Sequence, residues 1–184
     1  SAHLAVWWIH SLMVFGFFAM IPFTRLLHLI TGPANLFFAS PSLGQLKPIS
    51  IEEVEETGVV GVSEIAHLDQ QQLLSLDACM ECGRCDDACP AFASGKLLSP
   101  KALVQDLKGL MQATANGGSV ALHGDTIQAE TVWACTSCNA CVTACPVRVD
   151  PLGLLFDLRR DRAAEGALAG SAANSMRQMQ TKGN

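Results

Sequence analysis

A chain of 184 residues has room for one ordinary domain, or for a small domain and a membrane segment. Hydrophobic residues make up 49% of it, concentrated at the start, and the net charge of −5 comes with no basic block, so nothing argues for a nucleic-acid partner. The eight cysteines are spaced like metal ligands rather than like a disulfide framework, which suits a reducing compartment.

Ser1 directly precedes a hydrophobic run, without a basic leader or a small-residue cleavage site, and so reads as the start of a piece of something longer. From Leu4 to Ile30 the strongly polar side chains are His10, Ser11, Thr24, Arg25 and His28. About 20 apolar residues suffice to cross a bilayer, so residues 1–32 are predicted to form a transmembrane helix. Trp7 and Trp8 would mark one interface and Phe37 and Phe38 the other, with a kink at Pro22 between them. Arg25 and Lys47 follow the span, and positive residues favour the cytoplasmic side of the cell (inner) membrane, where the rest of the chain is then expected.

His10 and His28 lie eighteen positions apart. In one continuous helix that is five turns, which puts both on one face roughly 27 Å apart. Two readings of the pair remain open on spacing alone. They are a packed polar residue and an interfacial one, or each gives one axial ligand to a haem b. Arg25, one turn before His28, would either pair with a haem propionate or extend its charge to the interface.

Residues 33–66, with Pro41, Gly44, Pro48, Gly58, Gly61 and an acidic patch at Glu52, Glu53, Glu55 and Glu56, read as a cytoplasmic linker. Residues 67–165 read as one domain. A helix over roughly 67–77 delivers the chain to Cys79, and Ser99-Pro100 is an N-cap followed by proline at the first helical position, opening a helix through Ala113. Asn116-Gly117-Gly118 is expected to end it, and a short helix around 127–134 leads to the next cysteines. Asp150-Pro151 repeats the capping logic, in a helix ending at Arg159, Arg160 and Arg162, which would either face an acidic partner or, as the favoured reading, form a solvated basic end. Residues 166–184, rich in Ala, Gly, Ser and Asn, read as a further linker.

The domain contains an internal repeat. Cys79, Cys82, Cys85 and Cys89, followed by Pro90, match Cys135, Cys138, Cys141 and Cys145, followed by Pro146, both as C-x2-C-x2-C-x3-C-P. Three thiolates at this spacing wrap one [4Fe–4S] cube and the fourth reaches the other cluster. The expected assignment is crossed: Cys79, Cys82, Cys85 and Cys145 for one cluster, Cys135, Cys138, Cys141 and Cys89 for the second. Zinc sites use two C-x2-C pairs and leave the third cysteine and the C-P ending without a role. The fold class is therefore mainly α, one transmembrane helix followed by an α-helical two-[4Fe–4S] ferredoxin domain.

Trp8-Ile9-His10, His28 before Pro33-Ala34-Asn35-Leu36-Phe37-Phe38, and both cysteine runs resemble the membrane-bound iron–sulfur oxidoreductases related to heterodisulfide reductase, in which a nitrate-reductase-gamma-like haem b domain is fused to a two-cluster domain. The resemblance implies His10 as a ligand of an outer haem and His28 of an inner one. It also implies further transmembrane helices before this segment and cysteine-rich domains after Gly183-Asn184. An electron-transferring flavoprotein is the first expectation for the donor and a quinone for the acceptor, with heterodisulfide, sulfur-cycle and 2-hydroxyacid systems as alternatives. No nucleotide-binding glycine loop or nucleophile elbow marks a substrate site in the sequence. The rival expectation is a haem-free, membrane-anchored ferredoxin that docks a soluble partner.

Overall fold

The computed structural model describes residues 2–115, 121–124, 126–168 and 170–183. It is helical, and among the described residues there is no strand, only an isolated bridge between His123 and Ile127. The first helix, α1 (Ala2–Met20), buries none of its side chains. With the turn that follows, Ala2–Phe23 is long and apolar enough to cross a membrane.

Here the structure departs from one continuous span. The helix gives way to 3-10 turns at Ile21–Phe23 and Arg25–Leu27, separated by an extended Thr24. Pro22 brings no backbone N–H to the ladder, and the Thr24 hydroxyl accepts from the Leu26 N–H at 3.3 Å, capping a new start. The five-turn register expected between His10 and His28 is therefore broken, because helical phase is not carried across an extended residue. The apolar span ends at Phe23, not Ile30, and Phe37 and Phe38 belong to a different helix.

That helix, α2 (His28–Phe38), crosses the expected boundary at residue 32 and packs on α4 (Gln70–Ala78) of the following domain. Its contact face carries Gly32, buried against Val147, and Asn35, which is fully buried. The Asn35 amide donates to the Val147 carbonyl at 2.7 Å, and its oxygen accepts from Gln71 Nε2 at 2.6 Å. A buried amide left unpaired would cost about 1–3 kcal/mol, so these bonds fix how α2 docks.

The expected linker is more ordered than a solvated loop. It contains α3 (Ile51–Thr57), and Val62 and Ile65 enter the core. At Gly61 the backbone takes φ +88°, and a Cβ there would collide with the Asp157 carbonyl, so only glycine lets the chain pass this close. The helix delivering the chain to Cys79 is α4, opened by a capping box in which Asp69 and Gln72 each bond the other's backbone N–H.

Two four-residue helices follow the first cysteines, α5 (Arg84–Asp87) and α6 (Pro90–Ala93). Helix α7 (Pro100–Ala115) then buries Leu103, Val104, Leu107 and Leu110 along one stripe. Its expected stop at Asn116-Gly117-Gly118 lies outside the described residues. Helices α8 (Ala129–Trp133) and α9 (Ala140–Thr143) flank the second cysteines, and α10 (Pro151–Ala164) is capped by Asp150, which accepts from the Gly153 N–H at 2.7 Å. The segment expected to be a second linker contains α11 (Gly170–Lys182). The core of Leu76, Leu98, Leu107, Val132, Leu155 and Leu158 lies between α4, α7, α8 and α10.

Candidate iron–sulfur site

The eight cysteines are free thiols. In each run the residue before the second cysteine and the one after it both adopt left-handed backbone: Glu81 (φ 57°) and Gly83 (φ 82°), then Ser137 (φ 57°) and Asn139 (φ 64°). Glycine and asparagine are the residues that tolerate this conformation, so Gly83 and Asn139 were its sequence signal, whereas Glu81 and Ser137 gave none. The turns curl the first run around a void, and the short helices of the two runs, α5 and α9, pack on one another.

Across that contact the thiols gather three and one. Cys79, Cys82, Cys85 and Cys145 line one pocket together with Val104, Val147 and Val149. In the other group, Cys135, Cys89 and Cys138 lie close enough to act on the charge state of Cys141. The second cysteine of each run, Cys82 and Cys138, is exposed, while Cys89 and Cys141 are buried. Each fourth cysteine thus lies beside cysteines of the other run.

Burial, before any neighbouring charge, pushes the Cys141 thiol up to about 12, and Cys135, Cys89 and Cys138 add like-charge repulsion. Burial likewise raises Cys85 to about 11, with Asp86 and then Cys79 contributing. Cys79 is also raised by burial, against hydrogen bonds from Glu81 and Gln105. Four crowded thiols in an apolar pocket can ionise together only if a cation arrives with the deprotonation, which is the donor chemistry of a thiolate-held cluster. N–H groups already point at sulfur: Ser137 at Cys135 and Val149 at Cys145, both at 3.3 Å, and the Gln105 side chain at Cys79 at 3.1 Å. The donor set fits iron–sulfur chemistry at both sites.

Sequence reasoning missed Arg159. Expected at a solvated end, it is turned inward: its guanidinium donates to the carbonyls of Val132 (3.0 Å) and Cys135 (2.6 Å) and to Ser137 Oγ (3.0 Å), and stacks over Trp133. Arg160 is also engaged, with Asp157 and the Lys47 carbonyl, and Arg162 with Glu165. No spacing rule signals such long-range bonds to backbone.

The two membrane-side histidines are not brought together. His10 stands exposed on α1. His28 opens α2, and its Nδ1 lies 2.7 Å from the Arg25 carbonyl, an arrangement that holds the proton on Nδ1 and leaves Nε2 free. Arg25, exposed beside it, lines with His28 a cavity that reaches Cys79.

Residues 75–149 match the 4Fe-4S dicluster domain. A probable iron–sulfur-binding oxidoreductase of Bacillus subtilis is 34% identical over 97% of this chain and 31% of its own length. The EtfAB:quinone oxidoreductase of Syntrophomonas wolfei is 30% identical over 99% of this chain and 29% of its own length. The chain is an iron–sulfur electron-transfer module related to these oxidoreductases. A probable membrane-anchored ferredoxin of Chromohalobacter salexigens is 35% identical over 70% of this chain and 22% of its own. The chain spans less than a third of the length of these curated relatives. No solved structure matches it.

Proposed function

We propose that this chain conducts electrons one at a time between a membrane and a soluble redox partner, with Cys79, Cys82, Cys85 and Cys145 holding one [4Fe–4S] cluster and Cys135, Cys138, Cys141 and Cys89 the other. The observation that carries this reading is the three-and-one gathering of thiols across the two runs. When bound, the clusters supply reversible one-electron chemistry. The chain's own residues do the rest. The thiols release their protons as iron arrives, Val104 and Val149 keep water from one group, and the N–H donors of Ser137, Val149 and Gln105 stabilise thiolate charge.

At the membrane end, His28 would hold a haem b through Nε2, since metal-bound histidines usually donate their other ring N–H to a carbonyl, as His28 does to Arg25. His10 would hold a second haem, and Arg25 would pair with a propionate of the first. The exposed apolar surface of α1 calls for further transmembrane helices around it, and the relatives' greater length leaves room for these and for cysteine-rich C-terminal domains. The relative named as an EtfAB:quinone oxidoreductase supports a flavoprotein donor and a quinone acceptor, making the chain part of a quinone-linked enzyme. Arg25 and Lys47, following the span, support a cytoplasmic position for the cluster domain.

The relative named as a membrane-anchored ferredoxin favours a second reading, without haem. A dithionite-reduced minus oxidised spectrum of the purified membrane protein separates the two. Sharp b-type bands over a broad iron–sulfur bleach, with one set of bands lost in His28→Leu and the bleach retained, are expected for the conduit. Broad bleaching alone, unchanged by His28→Leu, leaves the tethered ferredoxin.

A further inference from the structure

The membrane segment and the cluster domain meet at one cavity. Phe23, Arg25 and His28 line it from one side, and Cys79, Glu81 and Gln105 from the other. Cys79 is fixed there by its position as the C-cap of α4, and α4 is tied to α2 where the Thr31 hydroxyl donates to the Asp77 carbonyl at 3.0 Å. The second group is placed differently. Its Cys141 packs with Val142 and Leu152 beneath Leu43 of the connecting chain.

Gln105 projects into this cavity from α7, off the stripe of Leu103, Val104 and Leu107 that builds the core, and its Nε2 donates to Cys79 Sγ. Among the described residues it is the one side chain that donates to a cysteine sulfur. The donors to Cys135 and Cys145 are backbone N–H groups, which the loops supply whatever their sequence. Reduction adds negative charge to a cluster and its thiolates, so an N–H aimed at one sulfur stabilises the reduced form more than the oxidised and raises the potential.

We propose that Gln105 is a positioning residue that raises the reduction potential of the cluster held by Cys79, Cys82, Cys85 and Cys145, and that this cluster is the one turned toward the membrane. The inference rests on the crossed ligation proposed above. It predicts an order of midpoints in which the wild type is highest, Gln105→Leu lower for want of the donor, and Gln105→Glu lowest because a carboxylate then faces the sulfur. The other cluster keeps its midpoint throughout.

The test is an EPR-monitored redox titration of the full chain in nanodiscs, repeated with lipids carrying a gadolinium chelate on the headgroup. The expected result is one shifting signal in the stated order, and stronger relaxation by the lipid gadolinium of that same signal. Equal midpoints in all three proteins, a shift of both signals together, or stronger relaxation of the unshifted signal overturns the proposal. Wild type with fewer than two cluster signals instead defeats the ligation reading on which it rests, so the two failures are told apart.

Discussion

The two cysteine runs bend alike and are held differently. Both turn through left-handed backbone at the same two positions, yet the first borrows Gln105 from α7 and sits beside the buried carboxylate of Asp86, which accepts from Ser99 and the Lys101 N–H. The second has the apolar Val142 in place of Asp86 and is clasped by Arg159 from α10. Geometry common to both belongs to the repeat and to what it wraps. What differs belongs to the surroundings, and that is where two chemically identical cofactors would acquire different stability and potential.

Breaking the second run's clasp gives the largest effect. Arg159→Ala removes three hydrogen bonds from a cation, two to the run at Cys135 and Ser137 and one to Val132 just before it, at a cost of about 2–3 kcal/mol given that bonds to charged groups contribute about 1.5–3 kcal/mol. The expected outcome is faster loss of one cluster's signal to a chelator, the other decaying at the wild-type rate. Equal acceleration of both would show that the loops are held in common.

The shared backbone makes a smaller and sharper prediction. Gly83→Ala forces a Cβ onto a φ of +82° and is expected to destabilise the protein by roughly 1 kcal/mol in chemical denaturation. Gly83→Asn and Asn139→Gly exchange the residues between loops and should each cost only a few tenths of that amount. An Asn at position 83 as costly as Ala would mean that the two turns are not equivalent. Gly44 is less forgiving, because a Cβ there would strike the Asn139 side chain.

A further effect concerns pH in cluster-free protein. Thiols raised above their ordinary value near 9, to about 11 at Cys85 and about 12 at Cys141, favour the folded state fully below pH 9. That contribution is lost as pH rises from about 9 through these two values, because the unfolded chain ionises first. Denaturation midpoints of cluster-free protein should therefore fall between pH 8 and pH 10.5, and those of cluster-loaded protein, whose thiols are already deprotonated, should not.

Much of this arrangement was legible in the residues. The C-x2-C-x2-C-x3-C-P runs show as a repeat, and Ser99-Pro100 and Asp150-Pro151 mark the starts of α7 and α10, because caps and ligand spacings are local. The kink at Pro22 was legible, but the full break through the extended Thr24 was not, since apolarity continues across it and periodicity carries no record of where a hydroxyl takes over a helix's N–H. Asn35, Gln105 and Arg159 were equally hidden as to role. Their partners lie 112, 26 and 24 positions away, and only folding brings those atoms together.

The crossing of the two runs is the central claim, and iron content in two double variants tests it most directly. Cys89→Ser combined with Cys138→Ser strikes one proposed cluster twice, whereas Cys89→Ser combined with Cys82→Ser strikes both. Iron and acid-labile sulfide per chain should show one cluster remaining in the first protein and none in the second. The reverse pattern, with a cluster surviving only when Cys82 and Cys89 are the pair removed, would contradict the account and return each run to a cluster of its own.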